Sequence, residues 1–201
     1  VRRTVWLARH GRTDYNNSRR FQGHLPVALD GLGREQAQRL ATKAAALGPK
    51  ALWSSPLRRA RETAEIVAQQ VGLPIREDPR LAETDAGEWT DLDFAEVRDR
   101  WPEQFNRFLA LDPTFAFPGG ESFAQQTERV VEALQEIAAG PSPALVICHG
   151  VVIRLAMRAF GVEPPQRIEN GELVALEVPI GCGEATPLRS TNAAGSPQTA
   201  G

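Results

Sequence analysis

The 201-residue chain has only two cysteines, Cys148 and Cys182. That is too few for a disulfide framework, and their spacing suits no metal site, so a reduced intracellular setting is expected. Long hydrophobic runs are also missing: nothing approaches the roughly 18 consecutive apolar residues of a membrane span, and the apolar run over residues 1–8 is too short for a secretory leader. Neither charge sign dominates. Lys and Arg number 23 against 25 Asp and Glu, a formal net charge of −2, without the basic excess that a nucleic-acid partner demands. An anionic substrate stays open, because local field and not total charge governs binding. The expectation is a soluble, cytoplasmic protein with no nucleic-acid or membrane partner, and nothing opposes a homodimer.

What remains is an ordinary globular composition, 42% hydrophobic and 24% charged, long enough for one core-bearing domain of roughly 100–200 residues. Apolar runs alternate with amphipathic segments, the pattern of an α/β fold with helices on both faces of a mostly parallel sheet. Strands are expected over 4–8, 51–53, 74–77, 144–148 and 173–178. A helix over 32–47 has Asp30 as its cap. The next helix takes Ser55 as cap and Pro56 as first residue, presents Leu57, Ala60, Ala64, Val67 and Val71 on one face, and stops at Gly72. A long helix over 121–139 buries Phe123, Val130, Val131, Leu134 and Ile137. A last one runs from Gly150 to about Phe160. Residues 1–181 form one domain in this reading, and the small, polar residues 182–201 a disordered tail.

The region 88–120 stands apart as a helical cap insertion. Trp89, Phe94, Trp101, Phe105, Phe108, Phe115 and Phe117 fall there, more than half of the chain's aromatics, with neither strand alternation nor one clean helical stripe. Two compatible readings follow: a satellite core, or a cap whose rings also line a pocket for an organic leaving group.

One arrangement occurs twice: an apolar strand, then histidine, then glycine, as Leu7-Ala8-Arg9-His10-Gly11 and Val146-Ile147-Cys148-His149-Gly150. Ligands of open parallel sheets bind beyond the carboxyl ends of the strands. Two such histidines converge if their strands are neighbours, and a following glycine lets the backbone approach an anion. Arg9 precedes the first histidine, and Arg58 and Arg59 open a helix, where cations oppose the macrodipole unless an anion sits there. Arg58 has Glu62 and Arg61 has Glu65 four residues on, both suitable partners. Arg59 has only Thr63, so Arg59 is the one expected to face substrate.

Arg9-His10-Gly11-Arg12-Thr13 with Asn16 and Phe21-Gln22-Gly23 resembles the opening motif of the histidine phosphatase, or phosphoglycerate mutase-like, superfamily. Ser54-Ser55-Pro56-Leu57-Arg58-Arg59-Ala60 with Thr63-Ala64, Leu81-Ala82-Glu83 with Gly87-Glu88-Trp89, Pro118-Gly119-Gly120-Glu121-Ser122 and His149-Gly150 resemble its later motifs in the family's order. The resemblance covers roughly residues 4–180 and implies a three-layer αβα sandwich. It implies that His10 is the nucleophile that becomes phosphohistidine and Glu83 the proton donor to the leaving oxygen. Arg9, Arg59 and His149 would bind the phosphoryl oxygens, with Asn16, Gly23 and Gly150 also at the phosphate. Neutral imidazole is nucleophilic near pH 7, and positioned positive charge carries most of phosphoryl-transfer catalysis. No metal or other cofactor is called for.

The chain departs from the family's usual residues at Arg12 (Glu or Gln), Ala82 (often Arg) and Asp91 (often Gly). None removes a catalytic group, and Arg12 reads as a solvated surface charge. The mutases carry an Arg-His-Tyr stretch after the acid glutamate. Here Thr84-Asp85-Ala86 offers no cation or phenol, so a phosphatase acting on a small phosphorylated metabolite is expected over a mutase. Residues 21–24 and the 118–122 loop look more like the broad-specificity and α-ribazole phosphatase branches. A rival mechanism lies in Cys148 and Arg154, which fit C-x5-R, but β-branched Val151, Val152 and Ile153 suit a buried helix face better than an anion loop. A non-catalytic binding module on the same fold is a further alternative, disfavoured because every named catalytic position is kept.

Overall fold

A computed structural model describes residues 1–180; the tail expected over 182–201, Cys182 included, lies outside the described residues. Apolar residues alternate along Arg2–Arg9 (β1), sending Val5 and Leu7 to one side and Trp6 and Ala8 to the other. Ala51–Ser54 (β2), Ile75–Glu77 (β3), Ala144–Cys148 (β4) and Leu173–Pro179 (β5) complete a five-stranded sheet of order β3-β2-β4-β1-β5. Every residue of β4 is buried, as a central strand covered on both faces requires. The pairings β3–β2, β2–β4 and β4–β1 are parallel; only the edge strand β5 runs antiparallel.

Seven α-helices accompany the sheet among the described residues: Asp14–Asn17 (α1), Gly31–Leu47 (α2), Arg58–Val71 (α3), Phe94–Arg100 (α4), Pro102–Leu109 (α5), Phe123–Ala139 (α6) and Gly150–Ala159 (α7). Leu40, Ala44, Ala60, Ala64 and Val67 of α2 and α3 cover Ala8, Leu52, Leu145 and Ile147 on one face. Val130, Leu134, Ile137, Val152 and Ile153 of α6 and α7 cover Val5, Leu7 and Val146 on the other. The result is the three-layer αβα sandwich. Asp30 caps α2 as expected, its carboxylate accepting from the Gly33 amide at 2.7 Å.

Two helix starts differ from expectation. The helix α3 begins at Arg58, with Leu57 as a cap that makes no side-chain bond. Ser55 and Pro56 lie before it because the Ser55 amide donates to the Ile147 carbonyl at 2.9 Å, continuing the β2–β4 contact. The helix α6 begins at Phe123 after a capping box of Ser122 and Gln125. On its inner face Val131 is only half-buried, and Gln126 is buried instead.

The insertion makes its own core. Phe21, Trp89, Val97, Phe105, Phe108, Phe115, Phe117 and Phe123 pack together, with Leu155 of α7 joining from the main domain. Phe21 stacks on Phe94 at 4.5 Å, and Trp89 meets Phe117 edge-on at 5.2 Å. The chain entering this core is fixed by backbone contact. A Cβ on Gly87, whose φ is +50°, would lie 2.2 Å from the Pro118 carbonyl oxygen, and one on Gly120 would lie 2.4 Å from that of Asp85. Only glycine allows that approach. Asp91 adopts φ +68°, a left-handed conformation that accounts for glycine's suitability at this position.

Candidate active site

The parallel register pairs Arg9 with Cys148, so the next residue of each chain segment leaves the sheet at the same rim. His10 and His149 therefore stand together, their ring centroids 5.2 Å apart. The His10 amide donates to the Cys148 carbonyl at 3.0 Å, continuing the ladder by one step. Both rings are buried. They sit at the end of an open cleft of about 340 Å³, lined among others by Arg9, His10, Asn16, Gly23, Arg59, Glu83 and Gly150. His149 lies behind that lining, fully buried.

The hydrogen bonds of His10 settle its tautomer. Its Nδ1 is 2.7 Å from the Gly11 carbonyl oxygen, which can only accept, so Nδ1 carries the proton and Nε2 the lone pair. Burial first, and then the guanidiniums of Arg59 and Arg9, hold this imidazole well below its ordinary pKa. His10 is thus neutral at pH 7. His149 is depressed in the same way, by burial and then by Arg59, His10 and Arg9. Its Nε2 is 2.7 Å from the Ser55 hydroxyl, which also accepts from the Leu57 amide at 3.2 Å.

Arg59 is almost fully buried, with its terminal nitrogens on the carbonyls of Gly23 at 2.9 Å and Leu25 at 3.3 Å. Arg9 donates to the Ile168 carbonyl at 2.6 Å. Neither has a carboxylate within ion-pair distance among the described residues, and burial lowers the pKa of each to about 10, with the Glu83 carboxylate pulling it partly back. The buried Nε atoms of Arg9 and Arg59 and the buried Nδ1 of His149 have no hydrogen-bond partner among the described residues. Glu83 is half-buried; its Oε1 accepts from the Thr84 amide at 3.0 Å and from the Gln126 amide group at 3.5 Å. Among the described residues, no group of three or more His, Cys, Asp and Glu side chains could hold a metal ion.

The helix-start arginines sort as their spacing predicts. Arg58 pairs with Glu62 at 2.7 Å and Arg61 with Glu65 at 3.3 Å, while Arg59 turns inward. Arg12 is not a free surface charge: it binds Asp30 at 2.7 Å and lies outside the cleft lining. Gly11 also has a packing role. A Cβ there would lie 2.3 Å from the Gly33 carbonyl oxygen, so the close packing of α2 by itself requires glycine at this position. At Gly150 the neighbour is Arg9 Nε, 3.4 Å from where a Cβ would stand. Cys148 points into the apolar core, and burial pushes its thiol up, which removes the thiolate that the rival mechanism needs. The cap aromatics form a core that includes Trp89, Phe105 and Phe115, while Phe94, Phe108 and Phe117 also line the cleft.

Sequence reasoning missed several supports. Asn170 donates to the His10 carbonyl at 3.0 Å and to Asn16 Oδ1 at 3.2 Å; it lies in a loop with no periodicity to mark it. Thr63 accepts from the Gly11 amide at 3.0 Å and donates to the Arg59 carbonyl at 2.7 Å, joining the two segments that carry His10 and Arg59. Arg129 donates to the carbonyls of Arg80 and Ala82 at 2.6 and 2.8 Å while gripping Glu121 with two nitrogens, and so fixes the backbone leading to Glu83. Its signal was Glu121 eight residues earlier, too far apart to read as a helical pair.

Comparison with known proteins places this geometry. The model of the histidine phosphatase superfamily (branch 1) matches residues 5–180. A probable phosphoglycerate mutase GpmB of Escherichia fergusonii is 37% identical over 155 residues, covering 74% of this chain and 70% of its own length. The chain spans 42% of the length of longer curated relatives that it matches at 37% identity. Among solved structures, the mycobacterial glucosyl-3-phosphoglycerate phosphatase Rv2419c in complex with VO3 aligns with a TM-score of 0.78 and 32% identity, over 86% of this chain and 92% of that one. A putative alpha-ribazole-5'-P phosphatase from Escherichia coli K-12 aligns with a TM-score of 0.73 and 27% identity, over 88% and 91%.

Proposed function

This chain belongs to the histidine phosphatase superfamily, and from that premise we propose that it is a metal-independent phosphomonoesterase that works through a phosphohistidine on His10. One observation carries the reading. The partnerless Nε2 of a neutral His10 sits with three buried, unpaired nitrogens, on Arg9, Arg59 and His149. A buried donor without a partner costs about 1–3 kcal/mol, and a phosphoryl group in the cleft would relieve several at once.

His10 Nε2 attacks phosphorus, forming the P–N bond as the ester P–O bond breaks, and the leaving oxygen takes its proton from Glu83. Water then attacks the phosphohistidine while Glu83 takes back a proton. The P–N bond breaks, and inorganic phosphate departs with His10 neutral again. The Gly11 carbonyl stabilises the ring as positive charge develops on it. Arg9 and Arg59, held from behind by backbone carbonyls, meet the equatorial oxygens without reorganising. In this reading the Ser55 hydroxyl, whose oxygen accepts from the Leu57 amide, donates its proton to His149 Nε2, which puts an N–H on His149 Nδ1 for the phosphoryl group. Asn16, Gly23 and the Gly150 amide at the start of α7 complete the phosphate side.

The name of the GpmB relative keeps the mutase reading in view. The residues after Glu83 favour water as acceptor: Thr84 stands where a mutase offers an arginine, and the next residue, Asp85, is an exposed carboxylate that accepts from the Gly87 amide at 3.0 Å. Incubation with 3-phosphoglycerate and its bisphosphate, followed by NMR, should yield free phosphate and no 2-phosphoglycerate. Quenching during turnover of p-nitrophenyl phosphate should trap an acid-labile, alkali-stable adduct on His10, absent in His10→Ala. Full activity of His10→Ala together with loss in Cys148→Ser would refute the mechanism.

A further inference from the structure

Beyond the phosphate end, the cleft has two unlike walls. Phe21, Phe94, Phe108, Phe117 and Leu109 make one apolar side. The lining also includes the polar and charged side chains of Arg154, Gln166 and Arg167, with Ile168 beside them. The charges here are not equally free. Arg167 pairs with Glu169 at 3.1 Å, and Arg20, another lining residue, pairs with Asp91 at 3.3 Å. Arg154 and Arg19, which is also in the lining, pair with no carboxylate among the described residues, but Arg19 is exposed and Arg154 half-buried. The Arg154 Nε is fixed on the Pro165 carbonyl at 3.0 Å, while its two terminal nitrogens have no hydrogen-bond partner among the described residues.

Arg154 also stands four residues after Gly150 on α7, one turn further from the phosphate end on the same helix. Half-burial and nearby Arg158 disfavour its charge. Among the described residues, Glu83 is the only carboxylate in the cleft lining, and it lies close enough to Arg9 and Arg59 to act on their charge. The substrate phosphate answers Arg9 and Arg59 and leaves Arg154 unanswered.

We infer that Arg154 is a specificity residue for a second, carboxylate group, so that the preferred substrate is a phosphomonoester whose organic part has an apolar body and a distal carboxylate. The fixed Nε presents the remaining two nitrogens as a planar fork, the geometry that meets one carboxylate with two parallel bonds. The apolar body would lie along the phenylalanine wall. This rests on the phosphatase reading and adds the chemical class of its substrate.

The test compares kcat/KM for 3- and 4-carboxyphenyl phosphate with the neutral 3- and 4-carbamoylphenyl phosphates, which match them closely in size and leaving-group demand. The wild type should prefer at least one carboxylate isomer by about tenfold, the scale of one charge-assisted hydrogen-bonded pair. Arg154→Gln should bring that ratio close to one, whereas Arg154→Lys should retain part of it. A purely structural role for Arg154 would lower all four substrates alike and leave the ratio unmoved. Hydrolysis of the carbamoyl esters with no carboxylate preference in the wild type overturns the inference and leaves the phosphatase reading standing. If none of the esters nor p-nitrophenyl phosphate is hydrolysed, the phosphatase reading fails and the inference falls with it.

Discussion

Replacing Arg59 with methionine should leave the empty enzyme about as stable as before while destroying its function. The Arg59 guanidinium is almost fully buried and has only two backbone carbonyls as partners. Burial lowers its pKa to about 10. At about 1.4 kcal/mol per tenfold change in acidity, that depression corresponds to a penalty of about 3 kcal/mol on the charged form. Methionine keeps a flexible apolar stem in the same space and gives up the charge-assisted bonds to Gly23 and Leu25, about 1.5 kcal/mol each. The two effects cancel to within about 1 kcal/mol, or about 2–4 °C in Tm for a domain of this size. Inorganic phosphate should separate the two proteins: at 100 times its Kd it stabilises the wild type by about 2.7 kcal/mol and the variant by almost nothing. Urea unfolding with and without phosphate measures both quantities. A loss of 2 kcal/mol or more in phosphate-free Arg59→Met would refute the idea that the site stores uncompensated charge for its ligand.

Three further outcomes follow. Glu83→Gln should slow alkyl phosphates by at least about a hundredfold but p-nitrophenyl phosphate far less, since that leaving group needs little protonation; equal losses would remove Glu83 as the acid. His10 and His149 are held neutral in the fold, so below pH 6.5 the unfolded chain binds more protons and stability falls with pH, by at most about 1.4 kcal/mol per unit for each ring, until their folded pKa values are passed. His10→Asn should halve that slope between pH 6.5 and 5, as read by urea midpoints, and an unchanged slope would contradict the burial argument. Gly87→Ala should cost about 2–4 kcal/mol in thermal unfolding, because φ is +50° and the new methyl meets the Pro118 carbonyl; a neutral result would mean that the junction is loose.

Local pattern made the sheet and its four large helices legible, because strand burial and helical stripes are written in neighbouring residues. The pairing of β1 with β4 was legible for another reason: the same strand-histidine-glycine pattern occurs twice, and a parallel register brings its copies to one rim. Arg59 could be singled out by elimination, since Arg58 and Arg61 had acids four residues on. The errors arose where partners are distant in sequence. Ser55 looked like a helix cap because its contact with His149, 94 positions away, leaves no local trace. The packing role of Gly11 was not legible because nothing nearby announces Gly33. Asn170 and Arg129 act through backbone carbonyls, which every residue has and no sequence pattern marks.

The back-to-back approach of Gly11 and Gly33, together with the Thr63 bridge, has an implication for how such a molecule can diversify. The nucleophile's loop is wedged between the ends of two helices with no slack, so the phosphate end tolerates neither insertion nor side-chain growth. The aromatic wall belongs instead to a separate small core, joined to the sandwich through Phe123, Leu155 and the glycine contact at Gly87. On the proposed phosphatase reading, lengthening or recolouring that appendage would alter which alcohols are released without retuning the machinery that breaks the ester. One anvil can thus serve under many hammers.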